Sequence, residues 1–339
     1  MARLVATLLL LCLITLTTCS QAMRGRRLVA DDATAAMPGG VTVPAHFSQA
    51  FYVVNLTIGT PPQPVSAIID VGGELVWTQC ALYCRRCFKQ DLPLFDTNAS
   101  STFRPEPCGA AVCESIPTSS CAGDGGGACW YEASTSFGRT VGRIGTDAVA
   151  IGTAATASLG FGCAMDSNIE QLWGASGVVG LGRTPWSLVG QMNATAFSYC
   201  LAPHGAAGKK SALLLGASAK LAGAGKGAGT TPFVKTSTPP NSGLSRSYLL
   251  RLEAIRAGNA TIAMPQSGNT IMGGAEMTVP VSSYLFDAGN DTACVAILGS
   301  PALGGVSILG SLQQVNIHFL FDLAKETLSF EPADCSTLS

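Results

Sequence analysis

Charge is scarce in this chain of 339 residues: Asp, Glu, Lys and Arg make up 12% of it, and the formal net charge is −1. Such a balance provides no basic field to collect nucleic acid or acidic lipid, which sets nucleic-acid partners aside. Histidine is scarcer still. The three present, His46, His204 and His318, lie far apart in sequence, and no Gly-x-Ser-x-Gly elbow occurs, so serine or cysteine hydrolysis has little material. Long apolar runs are also lacking. The N-terminal run from Leu4 to Leu16 falls short of the ~20 residues a spanning helix needs, and no later segment reaches that length.

That run follows Arg3 and gives way to small and polar residues ending Ser20-Gln21-Ala22, the pattern of a secretory signal. Residues 1–22 are therefore expected to be removed, leaving a secreted, extracellular chain with no membrane partner. What is abundant is turn chemistry: 39 Gly and 18 Pro in a chain that is 47% hydrophobic describe short strands and tight turns, a mainly β protein. Its length suggests two medium lobes, at roughly 100–200 residues per domain.

Thirteen cysteines fall to eleven once Cys12 and Cys19 leave with the signal, an odd number. Seven of them, Cys80, Cys84, Cys87, Cys108, Cys113, Cys121 and Cys129, crowd into about fifty residues, as in a stapled, loop-rich segment of an oxidising compartment. Cys84-x-x-Cys87 also has the spacing of a zinc ligand pair, but the secretory signal favours disulfides and the histidines are distant. Asn-x-Ser/Thr sequons begin at Asn55, Asn98, Asn193, Asn259 and Asn290. Asn98 lies in an exposed-turn sequence, whereas Asn55 sits inside a strand pattern and is expected to be blocked.

The β-branched and aromatic run Phe51–Ile58, the turn Gly59-Thr60-Pro61-Pro62 and the returning run Pro64–Asp70 predict a hairpin delivering Asp70. Further short strands are expected at Ala148–Ile151, Ala157–Phe161, Val178–Leu181, Leu213–Leu215 and Tyr248–Leu252, spacing that implies a sandwich or barrel. Pro203 to Arg246 carries little periodicity and reads as a mobile connection around one strand, placing the lobe boundary there. The expected organisation is a signal (1–22), an N-terminal segment (23–45), a first lobe with the Cys-rich insertion (46–202), a connection (203–246) and a second lobe (247–339).

Asp70 ends an apolar strand and is followed by Val71-Gly72-Gly73-Glu74-Leu75-Val76-Trp77, whose glycines permit an abrupt turn. Gly59 to Trp77 resembles the first active-site segment of pepsin-like aspartic peptidases, where the pattern is Asp-Thr-Gly-Ser. Phe161-Gly162-Cys163, Val178–Arg183, Phe197–Cys200, Ile308–Ser311 and Phe321-Asp322-Leu323 extend the resemblance over nearly everything after residue 46. The dense cysteines from Cys80 to Cys129 look like the nepenthesin-type plant branch. The resemblance implies a bilobal, pepsin-like double β-barrel, no cofactor and no metal. It also implies a peptide or protein ligand in a cleft between lobes, each lobe offering one Asp.

Two carboxylates are needed because a close pair cannot both ionise cheaply: one holds a proton while the other activates water. The resemblance makes Asp70 one of them. The family's bracing hydroxyls are here Val71 and Gly73, which cannot donate a side-chain hydrogen bond. Its second counterpart is not found. In the first lobe 110 residues separate Asp70 from Gly180, but counting 110 back from Gly310 reaches Cys200, inside the first lobe's closing segment. The family-like text stops near Gly268-Asn269-Thr270-Ile271 and resumes at Gly273-Gly274, which implies a deletion of roughly seventy residues and a truncated second lobe.

Phe286-Asp287-Ala288-Gly289 is a decoy, lying 23 residues before Gly310 and matching a late family strand; Asp322 matches a terminal one. Tyr131 follows Cys129 too closely for the family's flap tyrosine and reads as a core residue. These features imply an aspartic-type endopeptidase homologue that is catalytically impaired or inactive. The alternative is a secreted non-catalytic binding or inhibitor protein similar to the pepsin-like xylanase inhibitors. The resemblance also places the partner of Cys294 in the deleted stretch, so Cys294 is the expected odd thiol and a route to a disulfide-linked dimer.

Overall fold

The computed structural model describes residues 39–82, 84–116, 119–121, 127–135, 137–204, 210–223, 227–235, 246–257, 259–263, 275–287, 292–297 and 307–337. The expected signal, the sequon at Asn290 and the junction at Gly268–Ile271 lie outside them. Strands dominate. In chain order they are β1 (Val41–Ser48), β2 (Phe51–Ile58), β3 (Gln63–Asp70), β4 (Val76–Gln79), β5 (Lys89–Gln90), β6 (Arg104–Pro105) and β7 (Ser119–Ser120). Then come β8 (Trp130–Thr135), β9 (Gly138–Ile151), β10 (Ala157–Ser167), β11 (Gln171–Gly174), β12 (Gly177–Gly180), β13 (Ala196–Cys200) and β14 (Ser211–Leu215). The last seven are β15 (Gly229–Pro232), β16 (Ala254–Ala257), β17 (Ala260–Ala263), β18 (Leu285–Asp287), β19 (Ala293–Val295), β20 (Ile317–Asp322) and β21 (Thr327–Pro332).

β2 and β3 form the expected hairpin, with Val53 opposite Ile68 and Ile58 opposite Gln63. Its turn contains Gly59 at φ +94°, a conformation that costs a glycine nothing. Pairing continues from β3 through β12, β4, β10 and β9, and β9 returns to β2. That return closes a six-stranded ring, a barrel without a free edge. The other side of β2 leads through β1, β14, β13, β20 and β21 to β15, so strands from the C-terminal end of the sequence share one sheet with the first.

Two apolar clusters fill the interior. In the larger one Phe197 of β13 stacks on Phe321 of β20, ring centroids 4.4 Å apart and 8° from parallel, with Phe319, Phe330 and Tyr199 nearby. Trp77, Tyr131, Ile144 and Leu172 belong to the second cluster, which lies among the barrel strands and the Cys-rich segment. Tyr131 is therefore a buried core residue, its hydroxyl 3.4 Å from Thr140 Oγ1.

Several expectations change. Tyr248–Leu252 forms no strand; Tyr248 instead packs against Phe233, Phe197 and Phe321 and donates its hydroxyl to the Leu181 carbonyl at 2.8 Å. Aromatic packing here wins over strand propensity. The segment read as a connection around one strand contains two, β14 and β15, both in the large sheet. Asn55, expected to be blocked, is exposed, because strand alternation puts it on the opposite face from Val54 and Leu56. Asn98, Asn193 and Asn259 are exposed as well.

Five disulfides are formed: Cys80–Cys163, Cys84–Cys87, Cys108–Cys121, Cys113–Cys129 and Cys200–Cys335. Cys84 and Cys87 thus spend their thiols on each other rather than on a metal. Cys200–Cys335 ties the end of β13 to the chain's tail across 135 residues, a long loop of the kind whose closure contributes about 2–5 kcal/mol. Cys294, half-buried in β19, is the free cysteine among the described residues.

Two predictions follow from this packing and pairing. Phe321→Ala removes the ring stacked on Phe197 and should cost about 3–5 kcal/mol in urea unfolding; a loss below about 1 kcal/mol would show that the stack is not part of the shared core. Alkylation of the unreduced mature protein followed by mass spectrometry should label Cys294 alone, or find it disulfide-linked between two chains. Label on any of the ten paired cysteines contradicts the assignment.

Candidate functional site

Asp70 is the last residue of β3, and its place is fixed by β12. That strand inserts between β3 and β4, running parallel to β3 and antiparallel to β4, with Gly177–Gly180 opposite Ala67–Asp70. The backbone around Asp70 is fully engaged: its carbonyl accepts from Gly73 N at 3.1 Å and from Leu181 N at 2.8 Å, and Gly182 N reaches the Gly73 carbonyl at 2.8 Å. Gly73 has to be small in this arrangement. A Cβ there would sit 2.9 Å from the Gly180 Cα and 3.1 Å from the Asp70 Cβ, so a serine enters only if the loop shifts.

The carboxylate accepts from the Gly72 N–H at 3.0 Å. Burial pushes the Asp70 carboxyl above its ordinary range, and the N–H groups of Gly72 and Gly73, which favour the ionised form, only partly offset it. The position after it contributes little chemistry: Val71 packs against the larger core cluster.

Sequence reasoning missed a second group of residues beside this loop. Arg246 lies 2.6 Å from Glu74, four residues after Asp70, and Thr184 donates its hydroxyl to the Glu74 carbonyl. Arg183 donates from its backbone to the Arg246 carbonyl at 3.0 Å and pairs through its side chain with Glu326, while its guanidinium lies 5.6 Å from the Phe233 ring. Glu74 is raised by burial, against the attraction of Arg246. These partners come from segments far apart in the chain and share no motif, so nothing in the sequence announced them.

The other singled-out residues stay outside this loop. Asp322 caps the turn after β20, accepting from Lys325 N at 2.9 Å, and Asp287 ends β18, opposite Ala293 in a two-stranded hairpin. His318 is buried in β20 with its Nε2 3.1 Å from Ser198 Oγ, His204 stacks on Phe47 at 4.0 Å, and His46 is exposed on β1. A cleft of about 600 Å³ lined by His46, Asn55, Ser66 and Asp91 does not include Asp70.

Among the described residues, the group this loop offers for chemistry is the Asp70 carboxyl. One well-braced, partly desolvated carboxyl can hold a proton or accept a hydrogen bond from a peptide. It cannot hold a proton and activate water at once. The first lobe's hydrophobic-hydrophobic-Gly element is Val178-Val179-Gly180, and Ile308-Leu309-Gly310 has the same pattern. Val178 and Val179 are 1% and 0% exposed, whereas Ile308 and Leu309 are 73% and 42% exposed. Among the described residues no strand pairs with Ser307–Gly310.

Comparison with known proteins bears on these observations. The family model described as Xylanase inhibitor N-terminal matches residues 52–217, and the one described as Xylanase inhibitor C-terminal matches 246–332. Aspartic proteinase nepenthesin-1 of Nepenthes gracilis is 29% identical over 375 aligned positions, covering 91% of this chain and 84% of that protein. Because 91% of 339 residues is about 308, about 67 of those positions face gaps here. Aspartyl protease 37 of Oryza sativa subsp. japonica is 35% identical over 219 positions, covering 63% of this chain and 45% of that protein. Conglutin gamma from lupine seeds has the same fold, with TM-score 0.68 at 16% identity over 89% of this chain and 98% of that one. Basic 7S globulin from soybean is similar at TM-score 0.65 and 17% identity, over 89% of this chain and 99% of that one.

The raised Asp70 carboxyl makes a stability prediction. Its folded form favours the neutral acid, so its contribution is fully present below the ordinary value of 3.8 and is lost as pH rises through the folded-state value. Asp70→Asn, which is neutral throughout, should raise Tm relative to the native chain at about pH 7 and match it at about pH 3. An Asn variant that melts lower at neutral pH would show that the ionised carboxylate is held by a favourable partner.

Proposed function

We propose that this chain, which belongs to the pepsin-like plant aspartic peptidase family, engages peptide or protein segments near Asp70 without hydrolysing them. The observation that carries this reading is the asymmetry between the two matching elements. Val178-Val179-Gly180 lies between two strands and fixes an Asp, while Ile308-Leu309-Gly310 has no such strands among the described residues. An aspartic mechanism needs the second carboxylate that the absent strand would deliver. Val71 and Gly73 deepen the deficit, because neither can donate a side-chain hydrogen bond to Asp70.

A binding role without turnover is also favoured by the family models that match both halves, whose descriptions name xylanase inhibitors. Under this reading the chain follows the secretory route, with Asn55, Asn98, Asn193 and Asn259 exposed for glycosylation. Five disulfides suit an oxidising destination. Its ligand is a peptide or protein surface, with Asp70 offering a hydrogen-bonding carboxyl rather than a reacting one.

The purified mature chain is expected to show no pepstatin-sensitive cleavage of casein at about pH 3, where a carboxyl dyad would be half-protonated. The double variant Val71→Thr, Gly73→Ser should remain inactive too, since hydroxyls orient a carboxylate but do not supply another. Pepstatin-inhibited cleavage that disappears in Asp70→Asn contradicts the proposal, and turnover gained by the double variant would place a second carboxylate within reach.

A further inference from the structure

The first lobe records what an element of the pattern Val178-Val179-Gly180 binds. β3 lies parallel along it, pairing Ile68 with Val178, Ile69 with Val179 and Asp70 with Gly180. The edge it covers is apolar on both faces: Val178 and Val179 belong to different core clusters, one on each side of the sheet. A strand buried on both faces binds through its backbone ladder and through apolar side chains at every position.

Ile308-Leu309-Gly310 presents the same side chains to solvent. They are not isolated. Gln313, three residues beyond Gly310, donates from Nε2 to the Ser283 carbonyl at 3.1 Å and the Ala296 carbonyl at 3.0 Å. This fastens the element to the β18–β19 hairpin, on and around which Val281, Leu285, Val295 and Ile297 are also exposed. β18 and β19 pair only with each other among the described residues. An unpaired apolar segment beside an open two-stranded sheet offers the kind of edge that extended peptides add to.

We propose that Ser307–Gly310 is an acceptor site for an extended apolar peptide strand supplied in trans, docked parallel to it as β3 docks on β12. The occupant is identified by the chain's own first copy: a stretch of consecutive aliphatic residues, uncharged until a terminal acidic residue opposite Gly310, with the chemistry of Ala67–Asp70. Strand capture here is read by binding and not by turnover, so it stands whether or not the Asp70 loop turns over substrate.

The probe is a fluorescein-labelled peptide with the sequence Gln63–Gly72, carrying an N-terminal lysine tag for solubility, titrated with the full mature protein by fluorescence anisotropy. Saturable binding is expected, weakened at least about tenfold by Leu309→Asp in the protein and abolished by Ile68→Pro in the peptide, which removes a ladder donor. Leu309 is solvent-facing, so the variant should keep the native Tm; the peptide control tests the same pairing without altering the protein. No saturable binding, or binding indifferent to both changes, overturns the proposal. So does light scattering that shows a dimer dispersed by Leu309→Asp but not by the peptide, because the edge would then be covered by a second copy.

Discussion

Insertion of Gly177–Gly180 between β3 and β4 is the constraint on which the rest of the site depends. Without it Asp70 would end a hairpin strand with one edge free, and its carbonyl would keep only the local bond from Gly73 N. With it, Leu181 and Gly182 bond back onto Asp70 and Gly73, and the carboxyl is held at the end of a buried three-strand array. Closeness has a steric condition, that Gly73 and Gly180 both lack side chains, and an electrostatic consequence, a carboxyl that burial makes reluctant to ionise. The ion pair of Arg246 with Glu74 and the Tyr248 bond to Leu181 brace the loop from the C-terminal part of the chain.

The elements of the C-terminal part divide between the large sheet and small isolated pairs. In the large sheet β20 pairs with β13 on one side and β21 on the other, and the Phe197–Phe321 stack and Cys200–Cys335 fasten them. Among the described residues β16 with β17 and β18 with β19 stand as small pairs, with large apolar side chains such as Ile255, Leu285 and Val295 in water. Two-stranded pieces of this size are marginal by themselves. Cys294 sits in one of them with no disulfide partner.

Much of this was legible in the sequence. Alternation in Phe51–Ile58 and Pro64–Asp70 with a Gly-Thr-Pro-Pro turn defines the hairpin, because period and turn chemistry are local. An odd cysteine count leaves one thiol over, and the family resemblance places it at Cys294, the free cysteine among the described residues. What was not legible depends on contacts between distant segments. The return of β9 to β2 closes the barrel through Leu56 and Ile151, residues separated by nearly a hundred positions with no motif between them. Tyr248–Leu252 has strand composition, but its aromatic ring finds a better place against Phe321 than a ladder could give it. Arg246 pairs with Glu74 across about half of the chain, and charge composition alone does not choose partners.

The central claim is that two elements of one pattern stand in opposite states, one inserted and one open. Amide hydrogen exchange followed by mass spectrometry reads this directly in the native chain. The account predicts that Val178 and Val179 exchange as slowly as global unfolding allows, while Ile308 and Leu309 exchange orders of magnitude faster. Protection at Leu309 equal to that at Val179 would mean that the second element is already paired, and the account would be contradicted.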